Sequence, residues 1–445
     1  MANRQKSDAR RAMGRPSRKG REFEMSERIQ VLRARVLLPV TGPPVEDGAV
    51  RINGNRIEFA GPFKDLPKRD RDGAFDLGEV ILLPGLVNAH CHLDYTHMAG
   101  QLTPPANFVD WLKLIVMSKS GWTYSDYADS WLAGAKMLVR HGVTTVGDVE
   151  MSPELLPEVW TATPLRVVSM LEMTGVRNRR PVEQILGEAM QKAESLAHGR
   201  CRVGLSPHAP YSTTAELLRL SARAARERRM PVTVHVAESQ PEFEMFTLGR
   251  GAMYDWIAKN GRDMEDCGHG SPVQHLEKQG ALGPELLAVH VNHLDRGDAA
   301  LLGKRKVHVV HCPRSHAYFR RRPFPVDPLK RAGVNICLGT DSLASILQGR
   351  REKAELDMFA ELRAFASAQP KVSPRTILKM ATVNGARALG MAGEIGELRP
   401  GTLADLIAIP FEGKPGESWE AVVQFRGELA ISMIDGEWAV APIAA

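Results

Sequence analysis

The stretch Leu83-Pro84-Gly85-Leu86-Val87-Asn88-Ala89-His90-Cys91-His92 is an apolar, strand-like run that ends in two imidazoles two residues apart. Alternate side chains of a strand share a face, so His90 and His92 point the same way and offer two nitrogens to one divalent cation. An H-x-H pair alone is a weak signal. This one gains weight because other apolar runs in the chain end alike. The run PVTVHVAE (231–238) closes on His235, with Glu238 three residues on. The run LAVHVNH (287–293) carries His290, and VNICLGTDS (334–342) carries Asp341 and Ser342 just past its apolar part.

Working outward, such runs recur at 81–89, 144–149, 165–171, 202–206, 232–236, 287–291, 307–310 and 334–338, each followed by a helix-length segment such as 215–228 or 376–389. Eight strand–helix units predict an α/β fold, a (β/α)8 TIM barrel. A doubly wound sheet would carry a Gly-rich phosphate turn after its first strand, and none is visible. In a barrel the strand ends converge on one mouth, where active sites lie. Buried imidazoles and carboxylates are costly without partners, and sharing one cation satisfies several together.

The two ends of the chain read differently. Short alternating runs at 33–40, 48–51 and 56–60 surround an Asn53-Gly54 hairpin signal, and runs at 404–409, 430–434 and 437–440 surround Asp435-Gly436. They predict a small β-sandwich domain built from both chain ends. The expected division is a basic disordered tail at 1–24, the first part of the β domain at 25–83, the metal-dependent barrel at 84–390 and the second part at 391–445.

Of the 445 residues 43% are hydrophobic and 25% charged, which excludes a mainly disordered chain or a disulfide-stapled miniprotein. The net charge of +6 misleads, because residues 1–21 carry +7 and leave the rest at −1. The near-neutral body gives no reason to expect nucleic acid as a partner. The tail lacks the apolar core of a secretory signal, and Met25 offers an alternative start. No apolar run approaches the roughly 18 residues of a membrane span. Five scattered cysteines without a C-x-x-C fit free thiols in a reducing, cytoplasmic setting.

The motifs PGLVNAHCHLDYTH (84–97), SPHAPYS (206–212), HVAES (235–239), VHVNHLD (289–295), HCPRSH (311–316), LGTDS (338–342) and GELRPGTLADL (396–406) resemble the amidohydrolase superfamily, in its mononuclear aminohydrolase branch. The resemblance covers about residues 31–440. It implies that His90, His92, His235 and Asp341 bind one divalent metal ion. Zinc suits that donor set, and ferrous iron tolerates it. It also implies that Glu238, His290 and Asp341 do the acid–base and polarising work on water and substrate. Dinuclear relatives carry a carboxylated lysine at the end of the fourth strand, where this chain has Gly204-Leu-Ser-Pro-His208. His208 is expected to touch the substrate. Trp111 is expected either over the mouth as part of a lid or in the core of a helix. Arg314 and Ser342 are expected to contact substrate, as are Ser315 and His316. The implied activity is hydrolytic deamination of an aminopurine nucleoside or related aromatic amine, 6-aminodeoxyfutalosine among the candidates. S-adenosylhomocysteine or methylthioadenosine deamination, and guanine- or triazine-type hydrolysis of another C–N or C–Cl bond, stay open. The acidic residue that adenosylhomocysteine deaminases use on ribose hydroxyls has no counterpart that the sequence identifies. The expected partner is a small-molecule substrate, with no membrane, and a homo-oligomer is allowed.

Overall fold

The computed structural model describes residues 29–176, 180–196, 199–349 and 353–442, so the expected tail at 1–24 and Met25 lie outside the described residues. Eight parallel strands follow in chain order around a barrel: Leu86–Cys91, Val143–Glu150, Arg166–Met173, Arg202–Pro207, Val232–Val236, Leu286–His290, His308–His311 and Asn335–Leu338. Nearly all of their residues are buried, which explains why they read as continuous apolar runs without alternation. The seam between the first and eighth strands closes through a bridge between Cys91 and Asp341. The N–H groups of Thr340 and Asp341 both donate to the His90 carbonyl at 3.1 Å. Gly339 permits this approach, since a Cβ there would lie 2.7 Å from the His90 carbonyl oxygen.

The apolar run at 81–89, expected as one strand, is two. Val80–Pro84 pairs antiparallel with Leu406–Pro410 and parallel with Ile29–Leu37 in a separate sheet, and Leu86–Cys91 opens the barrel. The break falls at Gly85, whose N–H donates to Asp405 and whose Cβ would meet the Thr144 side chain at 2.2 Å. Both halves are buried, so hydrophobicity alone could not divide them.

The second sheet is built from both chain ends and includes Val45–Asn53, Arg56–Pro62, Ile431–Ile434 and Glu437–Val440. Its hairpins turn where the sequence predicts, at Gly54 (φ +58°) and at Asp435-Gly436 (φ +56° and +81°). Arg166 of the third barrel strand donates to both oxygens of Asp405 (3.1 and 3.2 Å) and to Asp435 (3.1 Å), tying this sheet to the barrel. The helix expected at 215–228 is Ala215–Arg228, capped by Thr214. The one expected at 376–389 is instead Pro374–Met380 and Val383–Ala388. Thr382 breaks it by turning its hydroxyl back on Leu378 at 2.7 Å, while the Ala381 carbonyl accepts from Val87 N–H at 2.8 Å. All five cysteines are buried and free. Among the described residues no helix is long and apolar enough to cross a membrane.

Candidate active site

The strand ends at the barrel mouth share an unusual backbone. Ala237 (φ +50°), His290 (+76°), Val291 (+48°) and Asp341 (+55°) are all left-handed. Such conformations cost roughly 1–2 kcal/mol each for an L-residue, and a β-branched valine resists them most. The neighbouring strands hold them: Val291 N–H donates to Val236 at 3.1 Å, and Asn292 and His293 N–H donate to Ala237 at 2.9 and 3.1 Å. The kinks turn the strand-end side chains inward, where they meet.

His90, His92, His235 and Asp341 come together there, all buried. His92 Nε2 faces His235 Nε2 at 3.3 Å, and Asp341 Oδ1 lies 3.7 Å from His90 Nε2 and 3.8 Å from His92 Nε2. His235 Nδ1 lies 3.0 Å from the His208 carbonyl, so it carries the proton and Nε2 presents its lone pair to the centre. Burial, and then the neighbouring imidazoles, hold His235 and His92 well below the ordinary histidine range. Burial would raise the Asp341 carboxyl, but His90, His290 and His92 outweigh it and hold it well below the usual carboxylate range. Ser315 Oγ donates to Asp341 Oδ2 at 2.6 Å. His90 Nε2 is buried with no hydrogen-bond partner among the described residues. Imidazole nitrogens converging on an ionised carboxylate, one of them an orphan, are the donor set that a divalent cation satisfies.

Glu238 and His290 stand beside this cluster, with Glu238 Oε2 3.8 Å from His290 Nε2. Burial pushes Glu238 up to about 8, against the opposing pull of Arg321, and drives His290 down to about 3. The loop carrying Glu238 is pinned by Glu242, whose carboxylate accepts the N–H groups of Ala237 (2.9 Å) and Glu238 (2.8 Å).

His92, His235, His290, Glu238 and Asp341 open into a cavity whose outer wall is largely apolar. Trp111, Leu112 and Ile115 from the helix Phe108–Ser118 line it, as do Trp256 and Ile257. Trp111 lines the cavity and packs on Phe108 and Phe319. His208 and Ser342 line the cavity. His208 Nδ1 pairs with Ser212 Oγ at 2.6 Å, and burial pushes the ring down to about 4. Arg314 is not at the mouth, contrary to expectation. Its guanidinium donates to Glu361 at 2.5 Å and to the Glu355 carbonyl at 2.9 Å, because the helix Pro313–Tyr318 aims it outward. Ser315 is spent on Asp341, and His316 Nδ1 pairs with Asn292 at 3.0 Å.

Two charged residues of the site, and the cavity-lining Trp256 and Ile257, were missed in the sequence. Arg321 donates to Glu238 Oε1 at 2.9 Å. It lies in the run Arg320-Arg321-Arg322, which reads as a solvated charge patch. Glu172, on the third barrel strand, lines the cavity. Its only signal was its place near the end of an apolar run.

A family model, the amidohydrolase family, matches residues 81–439. A 5-methylthioadenosine/S-adenosylhomocysteine deaminase of Syntrophobacter fumaroxidans is 35% identical over 381 residues, which span 83% of this chain and 81% of that protein. A zinc-bound adenosine deaminase from Xanthomonas campestris superposes with a TM-score of 0.78 at 24% identity, covering 92% of each chain. Helicobacter pylori aminofutalosine deaminase, in complex with methylthio-coformycin, superposes with a TM-score of 0.80 at 19% identity, covering 92% of this chain and 100% of that one. At those identities the two structures bear on the fold alone.

Proposed function

Since the chain belongs to the amidohydrolase family and is a hydrolase acting on carbon–nitrogen bonds, we propose that it deaminates the adenine ring of a nucleoside, releasing ammonia. The observation that carries this reading is the buried cluster of His90, His92, His235 and Asp341 with Glu238 at the same mouth. Those three imidazoles and one carboxylate would hold a single divalent cation, zinc by donor type and by the absence of any redox demand. When bound, such a cation supplies a water acidic enough to act as nucleophile near neutral pH.

The chain's own groups do the rest. Asp341, ionised and steadied by Ser315, accepts the proton of the attacking water. Neutral His290 hydrogen-bonds the same water and fixes its direction. Glu238, protonated near neutral pH, gives its proton to the ring nitrogen next to the attacked carbon. That protonation makes the carbon electrophilic, and acid–base help of this kind contributes about 10²–10⁴-fold. Asp341 then passes the water's proton to the amino group, the C–N bond breaks with loss of ammonia, and Glu238 regains a proton from the new hydroxyl as the carbonyl forms. His208, beside His235 at the cavity wall, contacts the purine. Trp111, Trp256 and Ile257 exclude water from the reacting centre, and Glu172 accepts hydrogen bonds from sugar hydroxyls.

The 35% identical relative makes 5-methylthioadenosine and S-adenosylhomocysteine the first substrates to try, with adenosine and 6-aminodeoxyfutalosine beside them. The test is ammonia release from this panel by protein loaded with zinc, with metal content measured in parallel. Release from at least one nucleoside, abolished in Asp341→Ala, supports the reading. No release from any of them, or full activity in Asp341→Ala, sinks it.

A further inference from the structure

We infer that Arg321 is a positioning residue for Glu238, and that it transmits the seating of the helix Phe108–Ser118 to that carboxylate. The inference rests on the proposed deamination. Arg321 Nη2 donates to Glu238 Oε1 at 2.9 Å, and Glu238 Oε2 lies 3.8 Å from His290 Nε2. One oxygen is therefore taken by the guanidinium, and the other is left toward the cavity. A carboxylic acid that must protonate a ring nitrogen has two oxygens to choose from. A cation on Oε1 keeps the proton off that atom and on Oε2, the one in reach of substrate. Orientation of this kind is worth as much as acidity, since a misplacement of about 1 Å can cost on the order of 100-fold.

The backbone is arranged to deliver this side chain. The helix Pro313–Tyr318 ends in a motif where Arg320 N–H donates to Ala317 at 3.0 Å and Arg321 N–H to His316 at 3.4 Å, with Arg320 left-handed at φ +52°. That reversal sends Arg321 back under the mouth, where both side chains of the pair are only 7% exposed. Glycine would be the usual residue at such a turn, so an arginine there carries backbone strain.

The other face of the guanidinium rests on aromatic rings. It lies 5.0 Å from the centroid of Phe108 and 4.7 Å from that of Phe319. Phe108 is the first residue of the helix that brings Trp111 and Ile115 to the cavity, and Trp111 itself packs edge-on against Phe319 at 5.0 Å. A substrate pressing on Trp111 thus presses on the rings that hold Arg321, and through it on Glu238. No other cationic side chain among the described residues is hydrogen-bonded to Glu238.

The test compares wild type with Arg321→Met and Arg321→Lys, using kinetics and crystal structures. For Arg321→Met the expected result is a fall in kcat on the order of 100-fold with KM changed less than about threefold, partly restored by added guanidinium ion. Arg321→Lys keeps the charge but not the planar stack, and should lose about tenfold in kcat. In either variant's crystal structure Glu238 should swing away from His290. Wild-type kcat in Arg321→Met overturns the inference. If that variant does not fold, wild-type kcat in Arg321→Lys with Glu238 unmoved overturns it. A wild-type protein that releases no ammonia defeats the functional reading instead, and the position of Glu238 in the variant crystals still decides this one.

Discussion

Asn88 and Thr340 are hydrogen-bonded twice across the barrel seam, Asn88 Nδ2 to Thr340 Oγ1 at 2.7 Å and Thr340 N–H to Asn88 Oδ1 at 3.1 Å. The same Oδ1 accepts His90 N–H at 3.3 Å. One buried amide thus sets the register between the strand that carries His90 and the turn that carries Asp341. Asn88→Ala would take the Asn88 acceptor from His90 N–H and leave Thr340 N–H with the His90 carbonyl alone, at about 1–3 kcal/mol for an orphaned group. We expect a lower denaturant midpoint together with reduced zinc content after purification. A variant that loses stability and keeps full zinc occupancy would contradict the link between seam and site.

Removing the metal should destabilise the fold as well as stop catalysis. His92 Nε2 and His235 Nε2 face each other at 3.3 Å, and His90 Nε2 is buried without a partner. A ligand present at 100 times its Kd stabilises by about 2.7 kcal/mol. Chelation should therefore lower Tm by several degrees, zinc should restore it, and His235→Ala should melt alike with or without chelator. A wild-type Tm indifferent to chelator would count against a cation at this cluster.

Ser315 should matter through Asp341 alone. Its hydroxyl donates to Oδ2 at 2.6 Å, with Ser345 a longer 3.4 Å from the same atom. Partners of this sort typically tune metal affinity by about 10–100-fold. Ser315→Ala should bind zinc that much more weakly in a chelator competition, and most activity should return at saturating zinc. Unchanged affinity would mean that Ser345 suffices.

The parts of this site that could be read in the sequence are those where an apolar run meets a chemically distinct residue. His235, His290 and Asp341 each follow several buried β-branched or aliphatic positions, and that contrast is local. What the chain order hides is direction. Arg314 and Arg321 are seven residues apart, and the nearer one to the motif is the wrong one. The helix Pro313–Tyr318 points Arg314 at Glu361, and the left-handed Arg320 turns Arg321 to the mouth. Gly85 likewise separates two sheets inside one hydrophobic stretch, for a reason that lies in Thr144 and Asp405 far along the chain.

Stability should carry a signature of Glu150, at the end of the second barrel strand. One of its oxygens accepts Ser152 N–H at 2.6 Å and the other is buried without a partner among the described residues. Burial, and then the charge of Asp94, push it from 4.5 up to about 8. The folded protein holds this proton more tightly than the unfolded chain. Its stabilising contribution is complete below about 4.5 and disappears as pH rises through about 8. Glu150→Gln stays neutral and should lose less Tm than wild type between about pH 6 and pH 9. Parallel curves for the two proteins would refute the assignment.

On the proposed function, Glu172 should select among nucleosides by their sugar hydroxyls. Its carboxylate lines the cavity and makes no hydrogen bond or ion pair with the described residues, although Lys119 lies close enough to oppose the upward push that burial gives it, to about 7. A half-buried carboxylate open to a cavity is stabilised by donors that a ligand brings, and two adjacent sugar hydroxyls are such donors. Hydrogen bonds to a charged group contribute about 1.5–3 kcal/mol, which is roughly 10–100-fold in kcat/KM. Glu172→Gln should lose that much on a ribonucleoside such as 5-methylthioadenosine. Toward the matching 2′-deoxynucleoside, which wild type should already handle poorly, it should lose less than about threefold. The discriminating quantity is the ratio of the two losses. Equal losses on both substrates would mean that Glu172 acts through the packing of the third strand and reads no hydroxyl.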